Sequence, residues 1–153
     1  MKVILEQSAV DSIKAHAGEC YPDECCGLVI RGDDGTIEAV AIRNVQDEMH
    51  EQDPKRYPRT ARTAYVAEPG ELRRALERGE APGKKVVAFY HSHPDHDAYF
   101  SDEDLAQATP FGEPSYPEAL QIVVSIRDGV CEDFKVFAWS QADAAYREAD
   151  LED

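Results

Sequence analysis

His91 and His93 close an apolar run, Val86 to Tyr90, and seven residues further on Ser101-Asp102-Glu103-Asp104 opens a stretch of helical character. The run is rich in β-branched and aromatic residues and is expected to be a buried strand. Side chains at i and i+2 of a strand share a face, so both imidazoles can point at one place, which a metal ion could occupy. Ser101 stands where a helix N-cap belongs, with Asp104 at the third helical position. The loop is long enough to fold that first turn back over the strand end, where Asp104 could be a third ligand. Two neutral nitrogens and a carboxylate suit a catalytic Zn²⁺, because the fourth tetrahedral position stays open for water. Water held there has a pKa of roughly 7. The candidate for the proton carrier that such a site needs is Glu24, in Pro22-Asp23-Glu24-Cys25-Cys26-Gly27-Leu28, just ahead of another apolar strand.

Taken singly, each residue has a plainer role. Ser101-x-x-Asp104 is also a capping box, two histidines at a strand end are often only solvated, and a loop glutamate is most often exposed. Their combination resembles the JAMM motif of the MPN/Mov34/PAD-1 family of zinc metallopeptidases: Glu24 upstream, then His91-Ser92-His93-Pro94, seven residues, Ser101 and Asp104. The resemblance runs over residues 3–138 and takes in Glu24 to Leu28, Asn44, Glu68 to Leu72 and Ile122 to Ser125. It implies that His91, His93 and Asp104 bind one Zn²⁺, that Glu24 is the acid/base, and that Ser101 helps hold the tetrahedral intermediate. It also implies a substrate joined through the C-terminal glycine of a ubiquitin-like or sulfur-carrier protein, cleaved at an amide or isopeptide bond. Phe100 departs from the pattern, since many members place Pro before the serine. Two other functions compete. One is a non-catalytic MPN interaction scaffold, against which the intact motif argues. The other is a zinc amidohydrolase or deaminase acting on a small molecule; deaminases bring a P-C-x-x-C pattern that is missing here.

Around the motif, hairpin signals at Gly32-Asp33-Asp34-Gly35 and Arg127-Asp128-Gly129 join strands at Gly27 to Arg31 with Thr36 to Arg43, and Ala119 to Ile126 with Asp133 to Trp139. A first strand is expected at Val3 to Leu5. Helices are expected over Ser8 to Ala17, closed by Gly18, and over Pro69 to Arg78, closed by Gly79. Residues 44–65 show no sustained period and are expected to form a long loop, with a basic cluster of Lys55, Arg56, Arg59 and Arg62 that is either solvated or docks an acidic partner or a substrate tail. Thr109 to Pro117, with three prolines, is expected to be irregular and to form one wall of the substrate cleft. The expected fold is an α/β (α+β) sandwich with a mixed, mostly antiparallel sheet flanked by helices, of the MPN/JAB, cytidine deaminase-like architecture. We expect a single domain over 1–153, with 140–153 as a C-terminal extension whose Ala-rich stretch favours helix, whereas the resemblance places a strand near Ala145 to Leu151.

Length fits one domain with a real core. No stretch is apolar and long enough to cross a bilayer, no signal peptide is evident, and the four cysteines form no C-x-x-C pattern, so a cytoplasmic protein with reduced thiols is expected. Cys25 and Cys26 are neighbours on a strand and should face opposite ways. Acidic residues number 31 against 16 basic ones, a net charge of −15, which disfavours nucleic acid and anionic membranes as partners. Such carboxylate loading also suits concentrated salt. Its self-repulsion is screened by salt, so the unfolding midpoint is expected to rise as NaCl is added; a midpoint independent of salt would contradict this.

Overall fold

The computed structural model describes residues 1–152; the last residue of the expected 140–153 extension lies outside them. Its framework is one sheet made of β1 (Lys2–Val3), β2 (Cys26–Gly32), β3 (Ile37–Ile42), β4 (Lys84–Pro94), β5 (Leu120–Arg127), β6 (Val130–Ser140) and β7 (Ala145–Leu151). The strand order is β1-β7-β6-β5-β4-β2-β3. Only the β1–β7 and β4–β5 pairs are parallel, so the sheet is mixed and mostly antiparallel. Both hairpins form. The β5–β6 turn puts Asp128 at φ 51° and Gly129 at φ 79°, the left-handed pair that a tight two-residue hairpin requires.

Each face of the sheet is covered by a helix whose apolar residues recur at helical spacing. Helix α1 (Gln7–Cys20) lays Ala9, Val10, Ile13 and Ala17 against Val29, Ala88, Ile122 and Val124. Ile13 is fully buried there, worth about 1.5–3 kcal/mol. On the other face α3 (Pro69–Gly79) packs Leu72, Ala75 and Leu76 over Cys26, Leu28, Ile30 and Val86. Cys25 and Cys26 fall in these opposite clusters, and all four thiols are free. Among the described residues no helix is long and apolar enough to cross a membrane.

Several elements differ from expectation. Residues 44–65 are not one loop but contain α2 (Gln46–Gln52). Helix α1 runs past Gly18 to Cys20, where Pro22 stops it by holding Tyr21 extended at ψ 133°. Helix α3 includes Gly79 instead of ending before it. The first strand is limited to Lys2–Val3. At 145–151, where the Ala-rich composition favoured helix and the resemblance implied a strand, the strand β7 forms. β4 continues through both histidines to Pro94, because β5 pairs beside it as far as Ile126.

Two of the three helical glycines, Gly18 and Gly79, should respond oppositely to a methyl group. At Gly79 a Cβ would collide with Val86 Cγ2 and sit 3.3 Å from Ile30 Cγ1; Gly79→Ala is expected to destabilise by about 1–3 kcal/mol. At Gly18 a Cβ meets nothing within 4 Å, so Gly18→Ala is expected to stabilise by about 0.5–1 kcal/mol. Urea unfolding of both variants checks the pair, and equal signs would contradict the packing described.

Candidate active site

His91 and His93 lie on the β4 face that α3 covers, and Ser92 between them points the other way. Ser92 Oγ accepts the Cys25 N–H at 2.8 Å, and Ser92 N–H donates to the Cys25 carbonyl at 3.2 Å. With Cys26 opposite His91 in the ladder, these bonds fix the residue just before β2 beside the histidines. That residue is Glu24. Its N–H donates to the Ala61 carbonyl at 2.8 Å, and its own carbonyl accepts from Asn44 Nδ2 at 2.9 Å.

Asp104 comes from the first turn of α4 (Asp102–Ala108), where the capping box forms. Ser101 N–H donates to Asp104 Oδ2 at 2.9 Å and Ser101 Oγ accepts the Asp104 N–H at 3.1 Å. The carboxylate is thereby held toward the strand. Its Oδ1 lies 3.2 Å from His91 Nε2 and its Oδ2 lies 3.6 Å from His93 Nε2, with the two Nε2 atoms 3.1 Å apart.

These separations test whether the donors fit a metal. Ligands about 2.0–2.1 Å from a tetrahedral ion lie roughly 3.3–3.4 Å from one another; the Nε2–Nε2 and Nε2–Oδ1 separations are near that value, and one donor atom from each of the three residues lies within 4.8 Å of the other two. The tautomer agrees. His93 Nδ1 is 2.9 Å from the Asp97 carbonyl, which can only accept, so a neutral His93 carries its proton there and keeps the Nε2 lone pair free. His91, His93 and Asp104 are thus a buried group able to hold a metal ion.

The charges follow from burial and from each other. Burial acts to raise the Asp104 carboxyl, but its contacts with His91 and His93 outweigh that and hold it well below the usual carboxylate range. His93 is pulled down by burial and up, with greater effect, by Asp104 and the Asp97 carbonyl. Glu24 is only 6% exposed. Burial pushes its carboxyl up to about 8, opposed by His93 and reinforced by Asp104.

Glu24, His93, Ser101 and Asp104 line one open cavity of about 590 Å³. Each of the five residues singled out in the sequence is therefore in this region, with His91 buried behind Tyr65, whose ring stacks on it at 4.9 Å. No residue pattern signalled Tyr65 or the bonds that hold the loop after His93. Tyr21 donates to Asp95 Oδ1 at 2.8 Å, Ser125 Oγ donates to the His96 carbonyl at 2.5 Å, and Arg127 Nη1 donates to the Asp95 carbonyl at 3.2 Å. Phe100, the departure from the family pattern, anchors the loop by packing on Phe137 and Tyr146, with ring centroids 5.6 and 4.8 Å away. Beside the cavity runs an apolar groove of about 510 Å³, walled by Phe89, Leu72, Leu76 and Tyr116, the last from the irregular 109–117 segment.

Comparison with known proteins identifies the family. The profile of a family described as prokaryotic homologs of the JAB domain matches residues 6–140. A desampylase of Haloferax volcanii is 34% identical over 112 residues, 71% of this chain and 73% of its own. A CysO-cysteine peptidase of Mycobacterium tuberculosis is 29% identical over 126 residues, 82% of this chain and 75% of its own. Among solved structures, a protein from Salinibacter ruber superposes with TM-score 0.60 at 27% identity, covering 97% of this chain and 90% of its own. A JAB1/MPN domain protein from Archaeoglobus fulgidus shares the fold, with TM-score 0.54 at 18% identity, covering 99% of this chain and 100% of its own. Matched along most of its length by that profile and by these relatives, the chain belongs to the prokaryotic homologues of the JAB domain, the small prokaryotic type of the JAMM/MPN metallopeptidases.

Proposed function

We propose that this chain is a zinc peptidase that hydrolyses the amide or isopeptide bond made by the C-terminal glycine of a ubiquitin-like or sulfur-carrier protein. The observation that carries the proposal is the convergence of three buried side chains whose donor atoms lie within 4.8 Å of one another, with Glu24 and Ser101 on the wall of the adjoining cavity. The substrate rests on the two relatives, one named for removing a ubiquitin-like modifier and one for releasing cysteine from CysO.

His91, His93 and Asp104 would hold the ion. When bound, Zn²⁺ supplies an acidified water and a positive charge for the substrate carbonyl oxygen. Glu24 would accept a proton from the attacking water and pass it to the departing nitrogen. Burial makes Glu24 a stronger base than a surface glutamate, and a nearby cation draws its pKa back toward neutrality. Ser101 Oγ accepts the Asp104 N–H, so its hydroxyl proton is free to donate to the carbonyl oxygen as negative charge develops.

Two substitutions separate holding the metal from moving the proton. His93→Ala is expected to lose both zinc and hydrolysis of a carrier joined through Gly-Gly. Glu24→Gln is expected to retain zinc, read by metal analysis, while turnover falls roughly 10²–10⁴-fold. Full activity in Glu24→Gln would remove Glu24 from the mechanism, and His93→Ala with undiminished zinc would remove His93 from the ligand set.

The raised carboxyl of Glu24 also predicts a pH dependence for the metal-free protein. The folded chain keeps Glu24 protonated up to about 8, whereas the unfolded chain ionises it near 4.5. The folded state therefore binds the extra proton across that window and loses stability as pH rises through it. The loss specific to this residue is on the order of a few kcal/mol. Glu24→Gln is expected to flatten that part of the stability–pH curve, and chemical unfolding between pH 4.5 and 8 measures it; parallel curves for the two proteins would contradict it.

A further inference from the structure

The chemistry above makes no use of Arg59, although Arg59 lines the same cavity as Glu24, His93 and Ser101. It is the one lysine or arginine among the described lining residues, in a chain of net charge −15. Its backbone is anchored by the buried Gln46, whose Nε2 donates to the Arg59 carbonyl at 2.9 Å. The guanidinium donates from Nη1 to the Thr63 carbonyl at 3.3 Å and from Nη2 to Glu103. A guanidinium has five N–H donors, so most of the fork remains free. The Glu103 pair does not close the site, because both side chains are about half exposed and such surface pairs are weak.

The position of Glu24 tells which part of a substrate meets Arg59. Glu24 protonates the departing nitrogen, and it lines the Arg59 cavity but not the neighbouring apolar groove. The leaving group therefore occupies the Arg59 side, and the charge of Arg59 is felt at Glu24. In an α-amino acid the carboxylate is attached one carbon away from the nitrogen, so a group that recognises it must stand beside the proton donor. The side-chain nitrogen of a lysine carries no such carboxylate.

We propose that Arg59 binds the α-carboxylate of an amino acid released from the carrier's C-terminal glycine, which makes small amino-acid adducts the preferred substrate class over lysine isopeptides. This rests on the peptidase function proposed above.

The test uses the zinc-loaded protein and a ubiquitin-fold carrier ending in Gly-Gly, joined to alanine, to alaninamide, or to the Nε of lysine. A charge-assisted fork is expected to favour alanine over alaninamide by roughly 10–100-fold in kcat/KM, mainly through KM. Arg59→Ala is expected to collapse that ratio toward one, and Arg59→Lys to restore part of it. Equal kcat/KM for all three substrates, or a ratio unchanged in Arg59→Ala, overturns the assignment and leaves the peptidase function standing. Cleavage of none of the three overturns the peptidase function and the assignment with it. A measurement on the unaltered, metal-free protein guards against a variant that fails to fold. In it the tripeptide Gly-Gly-Ala should shift the NMR signal of the Arg59 Nε–H group and its C-terminal amide should not; no shift with either peptide overturns the assignment.

Discussion

Two imidazole nitrogens 3.1 Å apart, with a carboxylate oxygen 3.2 Å from one of them, can share a buried pocket only around positive charge, whether protons or a metal ion. That constraint organises the region. The histidines come from the middle sheet and Asp104 from a helix that begins ten residues or so later in the chain, so the carboxylate must be aimed before it can serve. The capping box does the aiming. Asp104 answers the Ser101 N–H with one oxygen and turns the other to His91, so a local device of helix initiation becomes a device of site geometry.

A second tie fixes Glu24. Strand alternation sends Ser92 away from the histidines to the α1 face, where its hydroxyl and N–H grip the backbone of Cys25. A slip of one residue in the β2–β4 register would turn every side chain of β2 to the wrong face and carry Glu24 away with it. Asn44 braces the same point from the other side. Its amide donates to the Glu24 and Ala64 carbonyls while its oxygen accepts the Gln46 and Val66 N–H groups, joining β2, α2 and the 64–66 segment.

What the sequence made legible was what is local. The apolar runs of β2 and β5, the Asp128-Gly129 turn, the spacing of His91 and His93 and the Ser101-to-Asp104 cap are all decided within a few residues. The path of residues 44–65 was not legible, because long-range bonds hold it: Asp47 Oδ1 accepts the Ala61 N–H at 2.7 Å, and Gln46 reaches Arg59. A polar stretch with no hydrophobic period gives no sign of such bonds. Gly18 misled for the opposite reason. A glycine near a helix end suggests a stop, yet the helix continues until the geometry before Pro22 ends it. The effect of Phe100 was equally hidden, since it depends on Phe137 and Tyr146 from two later strands.

The division of the cleft into an apolar groove and a polar cavity follows from a single strand. Phe89, His91 and His93 occupy alternate positions of β4 and so point to one face. Phe89 lines the groove, His93 lines the cavity, and His91 lies between them under Tyr65, which borders both. Polarity therefore rises along the strand by steps of two residues, a spacing of about 6.6–6.8 Å per step. That is close to the reach of two residues of an extended peptide. A chain laid along β4 would meet apolar contacts before the buried donors and ionisable ones after them. For the peptidase proposed above, the pleat itself would supply an asymmetry between an acyl tail and a leaving group, and the loop residues, Arg59 among them, would refine it.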